Sequence, residues 1–194
     1  KINNDILPIN FSNFKNIHEY VKGNFKKEKF YPKGKKIYIN ENLIVPKNIS
    51  LNIVEDQEII IGNNATIVIL GDLYISAQKD NPAIIKGSKN NPGNIICVGN
   101  KIDIENLNLE NLKFPVIQGY ELYAGFNVIN GSVTLRNVNI NDFIGEDMLN
   151  LIESDSKLYN VTFSNSKSDA LDVDNGNIEF KDIYCKNIGN DCID

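Results

Sequence analysis

From Lys36 onward, short apolar runs alternate with polar breaks. KIYIN, NLIVP, SLNIV, EIIIG, TIVILG, LYISA, AIIKG and NIICVG follow one another, each rich in Ile and Val and interrupted by Asn, Gly, Asp or Pro. Short β-branched runs without a 3.6-residue period predict strands. They lie too close together for helical crossovers, which leaves an antiparallel sandwich or a parallel solenoid. Upstream, Phe14, Ile17, His18 and Val21 share one helical face, so the pattern predicts a capping helix over residues 11–22 with Ser12 at its start. A basic linker over residues 26–36, containing Pro32 and Gly34, is expected to follow.

Self-alignment decides between the two β architectures. An offset of 22 carries Leu158, Val161, Phe163 and Asn165 onto Phe180, Ile183, Cys185 and Asn187, and Asp169, Leu171 and Asp172 onto Asp191, Ile193 and Asp194. Leu135, Val138, Ile140 and Asp142 precede the same template by 23, and Ile104, Leu107, Leu109 and Asn111 precede those by a further 31. Residues 118–125 take up the extra length. A unit this short cannot bury its own apolar face and needs like units above and below it. A sandwich gives no reason for a shared template, and a leucine-rich repeat would need fixed leucines and a helical segment per unit. The repeat therefore predicts an all-β parallel solenoid over residues 36–194, expected to continue past Asp194, with residues 1–35 as an N-terminal cap. Leu135, Leu158 and Phe180 should form one inward column, and Val138, Val161 and Ile183 another. Asn111, Asp142, Asn165 and Asn187 should form a buried corner ladder, with loss of an Asn165 or Asn187 amide costing about 1–3 kcal/mol.

Charge and composition narrow the chemistry. With 25 acids against 20 bases spread along the chain, a net charge of -5 gives no footprint for nucleic acid or an anionic membrane. A neutral glycan or a basic partner fits better. No apolar stretch reaches the roughly 18 residues of a membrane span. His18 is the one histidine, which excludes a histidine triad or a multi-histidine metal site within these residues. Cys97, Cys185 and Cys192 each lie in or beside an apolar run without paired metal spacing, and they read as reduced thiols packed in the core.

The repeat resembles the right-handed parallel β-helix of the pectate-lyase-like superfamily, whose members mostly bind, cleave or epimerise polysaccharides and are usually secreted or displayed at the cell surface. Two segments, Ser168-Asp169-Ala170 and Gly189-Asn190-Asp191-Cys192, resemble the Asn-Thr-Asp and Gly-Asp-Asp-Cys motifs of polygalacturonase-like glycoside hydrolases. That resemblance implies catalytic roles for Asp169 and Asp191. Asn190 stands where the family has its third aspartate, and an amide cannot donate a proton as a carboxylic acid does.

Two functions follow as expectations. The first is a non-catalytic polysaccharide-binding or surface-display module, with Tyr120, Tyr123 and Phe126 at the long insertion offering rings for sugars, unless that loop folds back over the flank. The second is a carbohydrate-active enzyme, a hydrolase or lyase. It would use the acidic strip Asp147, Asp169, Asp172, Asp191 and Asp194, with Asp169 and Asp191 as possible calcium ligands. The repeat stacks Asp147, Asp169 and Asp191 in one column and Asn150, Asp172 and Asp194 in another. Like charges at that spacing require a cation, hydrogen-bond donors or raised pKa values. A lyase would also need a cationic base, for which Arg136 is the candidate, though a lone strand arginine is ordinarily solvated.

Overall fold

The computed structural model describes residues 10–24, 29–99 and 101–194. Seven strands form one sheet in the order Lys15–Asn16, Leu43–Val45, Thr66–Ile69, Asn94–Val98, Ala124–Ile129, Asp147–Ile152 and Asp169–Asp174, every neighbour parallel. A second sheet is built around four long strands, Lys101–Glu110, Ser132–Asn141, Asp155–Ser166 and Asn177–Ile188. Each long strand is broken near its middle by a left-handed residue: Asn106, Asn137, Asn160 or Asp182, with φ of 61°, 53°, 53° and 58°. Pairing skips these residues, so the two halves of each strand belong to different faces. The first half of Lys101–Glu110 continues onto Leu73–Ser76 and Ser50–Val54, and the second onto Ala83–Gly87, Glu58–Ile61 and Lys36–Ile39. The protein is all-β with mostly parallel strands, an arrangement compatible with a solenoid.

The self-alignment is the register. Ile104, Leu135, Leu158 and Phe180 are successive strand partners, as are Leu107, Val138, Val161 and Ile183, and Leu109, Ile140, Phe163 and Cys185. Side chains of alternate residues point to one face of a strand, so each template position stacks on its own kind inside a single core. Burial follows the stack until its last strand, where Phe180 is 53% exposed although Leu158 and Leu135 are fully buried.

Asn111, Asp142, Asn165 and Asn187 all adopt positive φ, between 51° and 61°, at the next corner. Asn187 Nδ2 donates to Asn165 Oδ1 at 2.9 Å and Asn165 Nδ2 to Asn141 Oδ1 at 2.9 Å. Only the Asn187–Asn165 rung joins two members of the expected ladder, since Asn111 Nδ2 donates to Gly87 O and Ser88 O, and Asp142, Asn165 and Asn187 are exposed, not buried. Their value lies in the backbone, because Asn tolerates the left-handed region that a Cβ-bearing residue otherwise enters at roughly 1–2 kcal/mol. Asn165→Ala is therefore expected to cost about 1–2 kcal/mol and Asn165→Gly markedly less. Equal losses in urea melts would return the effect to the amide hydrogen bond.

Two expectations are corrected at the N-terminal end. Residues 11–22 are not a helix: Phe11–Asn13 and Ile17–Glu19 are single 3-10 turns, separated by the strand Lys15–Asn16 and followed by the strand Val21–Asn24. Each turn has its own asparagine cap, Asn10 Oδ1 accepting from Ser12 N and Asn16 Oδ1 from His18 N, and Asn16, in the middle of the expected helix, restarts the chain as a separate turn. Ser12 is not the cap. Nor is residues 26–36 simply a linker: residues 25–28 lie outside the described residues, and Lys29–Pro32 is a strand, antiparallel to Val21–Asn24 and parallel to Ser50–Leu51. Ile17, Val21 and Phe30 still join the core at this end.

The cysteines also depart from expectation. Cys97 is a buried free thiol, but Cys185 and Cys192 form a disulfide with Cα atoms 5.9 Å apart. The turn after Ile188 returns the chain toward Cys185, a proximity that apolar patterning does not encode. Without reductant, denatured protein should show one thiol on titration with Ellman's reagent, and three after reduction. Three from the start would mean that the pair is reduced in solution.

Candidate functional site

The acidic strip lies on the seven-stranded sheet. Asp147 pairs with Asp169, Asn150 with Asp172 and Ile152 with Asp174, and the bridge from Leu171 to Ile193 carries the same register to Asp191 and Asp194. The structure thus brings the predicted columns together. Their exposure differs, however. Asp147 is 4% and Asp169 8% exposed, Asp172 is half-buried, and Asp191 and Asp194 are open to solvent.

Hydrogen bonds assign Asp169 structural work. Asp169 Oδ1 accepts from Asp191 N at 2.7 Å and from Asn190 Nδ2 at 2.9 Å, so Asp169 anchors the turn that contains the other half of the resemblance. Asn150 Nδ2 donates to Asp172 Oδ2 at 3.0 Å. Burial pushes the Asp147 carboxyl up to about 7, helped by the charges of Asp172, Asp169, Glu146 and Asp174. Asp172 is raised as well, by desolvation and then by Asp174 and Asp194, with the Val173 N–H acting against the shift. Repulsion in the strip is relieved by protonation and amide donors. Among the described residues, no group of three or more His, Cys, Asp or Glu is arranged to hold a metal ion, so calcium has no preformed cage here. Beside the strip, the Oδ1 atoms of the register partners Asn127 and Asn150 are buried without a hydrogen-bond partner.

The insertion folds back over the flank. Val116–Ile117 and Tyr120–Glu121 form a small hairpin, and Ile117 and Leu122 pack with Val68, Leu70, Ile96, Val98 and Ile129 on the outer face of the seven-stranded sheet. Phe11 and Phe14 join this second cluster. Asn10 N donates to Gln118 Oε1 at 2.9 Å, and Gln118 Nε2 returns a bond to Asn10 O at 2.7 Å, fastening the N-terminal segment to the hairpin. Of the three aromatics expected at a glycan surface, Tyr123 is exposed, Phe126 is buried in the core because its strand position points inward, and the Tyr120 side chain lies outside the described residues. Arg136 is not simply solvated: it forms an ion pair with Asp103 on the preceding long strand.

Two surface concavities escaped the sequence reading. One, of about 360 Å³, is lined by Ser132, Thr134, Asp155, Lys157, Asn177 and Glu179 among others. Within it Lys157 pairs with Glu179 at 3.3 Å, and Asn177 Nδ2 donates to Asp155 Oδ1 at 2.9 Å. The other, of about 250 Å³, runs along the bend marked by Asn106, Asn137 and Asn160. The alignment held its signal, because the offsets of 31 and 23 also superpose Asn106, Asn137 and Asn160 as a second asparagine column. Comparison with known proteins returns nothing that resembles this chain: no family model, no curated protein and no solved structure matches it.

Proposed function

We propose that this chain is a non-catalytic polysaccharide-binding or surface-display module, built as a right-handed parallel β-helix of the pectate-lyase-like kind. The observation that carries the reading is the set of polar columns in which residues one strand apart repeat the same chemistry: Asn106, Asn137 and Asn160, running from buried to exposed, or Asn108 and Asn139. An extended polymer with a repeating hydroxyl pattern is the ligand that such an array suits. Sealing of Asp169 against the 189–191 turn supports the absence of hydrolysis, since a substrate must reach both members of an acid/base pair. The Cys185–Cys192 disulfide accords with a secreted or cell-surface location, where such bonds persist.

A panel of soluble polysaccharides, scored for retardation in affinity electrophoresis and for new reducing ends or unsaturated products, tests the proposal. Binding without product is expected. One observation favours the alternative of a carbohydrate-active enzyme: Asp147, half-protonated near neutrality beside Asp169, has the titration behaviour of a general acid. Product formation abolished by Asp147→Asn would establish that alternative.

A further inference from the structure

We infer that the glycan site is the trench along the Asn106–Asn137–Asn160 bend, and that its ligand is a neutral, hydroxyl-rich polysaccharide lying along the stacking direction. The inference rests on the glycan-binding reading above and specifies its place and substrate class.

The floor of the trench is a chain of carboxamides. Asn160 Nδ2 donates to Asn137 Oδ1 at 2.8 Å, and Asn137 Nδ2 donates to Asn106 Oδ1 at 3.1 Å. Asn106 Nδ2 ends the chain on Ala77 O at 2.8 Å. A parallel pair, Asn139 Nδ2 to Asn108 Oδ1 at 2.9 Å, forms one wall, while Lys79 and Pro82 form the other. A carboxamide has two N–H donors and two acceptor lone pairs, so each ladder bond leaves hydrogen-bonding capacity on the amide. The ladder also fixes the side-chain rotamers before any ligand arrives, which lowers the ordering cost of binding.

Charge selects the ligand class. Among the described residues the trench is lined by one cation, Lys79, and by no carboxylate, whereas the seven-stranded sheet carries the acidic strip and the whole chain a net charge of -5. A polyanion finds one partner here and repulsion elsewhere; a neutral glycan needs the paired donors and acceptors that amides provide. Rungs recur at the strand spacing of roughly 4.8 Å, the same order as the length of one sugar ring along a polymer. Beyond the trench, register continues the Asn108–Asn139 column through Thr162 to Tyr184, whose side chain is 55% exposed. That ring supplies an apolar face for a sugar at the end of the polar track. The larger concavity is ionic instead, lined by Lys157, Glu179 and Asp155.

The test is affinity electrophoresis and titration calorimetry of the full chain with mixed-linkage β-glucan, galactomannan and polygalacturonate. The parent is compared with Asn139→Ala/Tyr184→Ala, a double substitution at exposed positions, and unchanged far-ultraviolet dichroism shows that the variant is folded. Asn139→Gln alone, which keeps the amide, serves as a second variant. The expected result is binding of a neutral glycan, at least tenfold weakening in the double variant, and a smaller loss in Asn139→Gln. Equal neutral-glycan binding by parent and double variant overturns the trench while glycan binding stands. Binding of polygalacturonate alone overturns the neutral class. Binding of none of the three overturns the underlying reading and this inference with it.

Discussion

Asp147→Asn is expected to stabilise the protein at pH 8 by about 2–3 kcal/mol and to flatten its stability between pH 5 and pH 8. The unfolded carboxyl titrates near 3.9, whereas the folded one is pushed up to about 7 by burial and by the neighbouring carboxylates. Below about pH 4 both states hold the proton and the strip costs nothing through this group. As pH rises toward and through 7, the folded state retains a proton that the unfolded state has released, so stability is lost. Glu41, Asp56, Glu58 and Glu179 are shifted the other way by hydrogen bonds to lysine and other partners, and their contribution falls below the usual carboxylate range. The window from pH 5 to 8 therefore isolates the raised carboxyls. Urea unfolding at the two pH values measures the effect, and a parent profile flat across this range would show that Asp147 ionises without penalty.

Phe163→Ala should cost about 3–5 kcal/mol, while Phe180→Ala costs less than about 1 kcal/mol. Both are phenylalanines on inward template columns. Phe163 is fully buried, with Ile140 and Cys185 as its register partners, and its removal leaves a cavity that neighbouring strands cannot close. Phe180 occupies the Leu135–Leu158 column on the last strand of its sheet, with more than half its surface in solvent. Paired chemical denaturation of the two variants checks the contrast. Similar losses would mean that the end strand is covered in solution.

The strip illustrates how a repeat by itself produces the regular spacing of carboxylates. Asp169 and Asp191 are one register step apart because the template recurs, and the same recurrence places Asp147 on the other side of Asp169. Whether a carboxylate can act on a polymer depends on its access and on its hydrogen-bond partners. Those depend on the Asn190–Asp191 turn folding back onto Asp169.

What the sequence alone determined is the periodic part. Strand identity, parallel register, the inward columns and the left-handed corner residues follow from apolar alternation and from a 22- to 31-residue repeat, because identical units stack only when like positions coincide. Tertiary structure decided everything that breaks the period. Two short capped turns stand where an amphipathic helix was expected, and Cys185 met Cys192 across a bend. The 118–125 insertion bonded to a segment 108 residues away, and one phenylalanine of the shared pattern was buried while another was left in solvent. Pattern reports which face a residue takes; only the packed chain reports what lies against that face, and burial, pKa and access are properties of the contact.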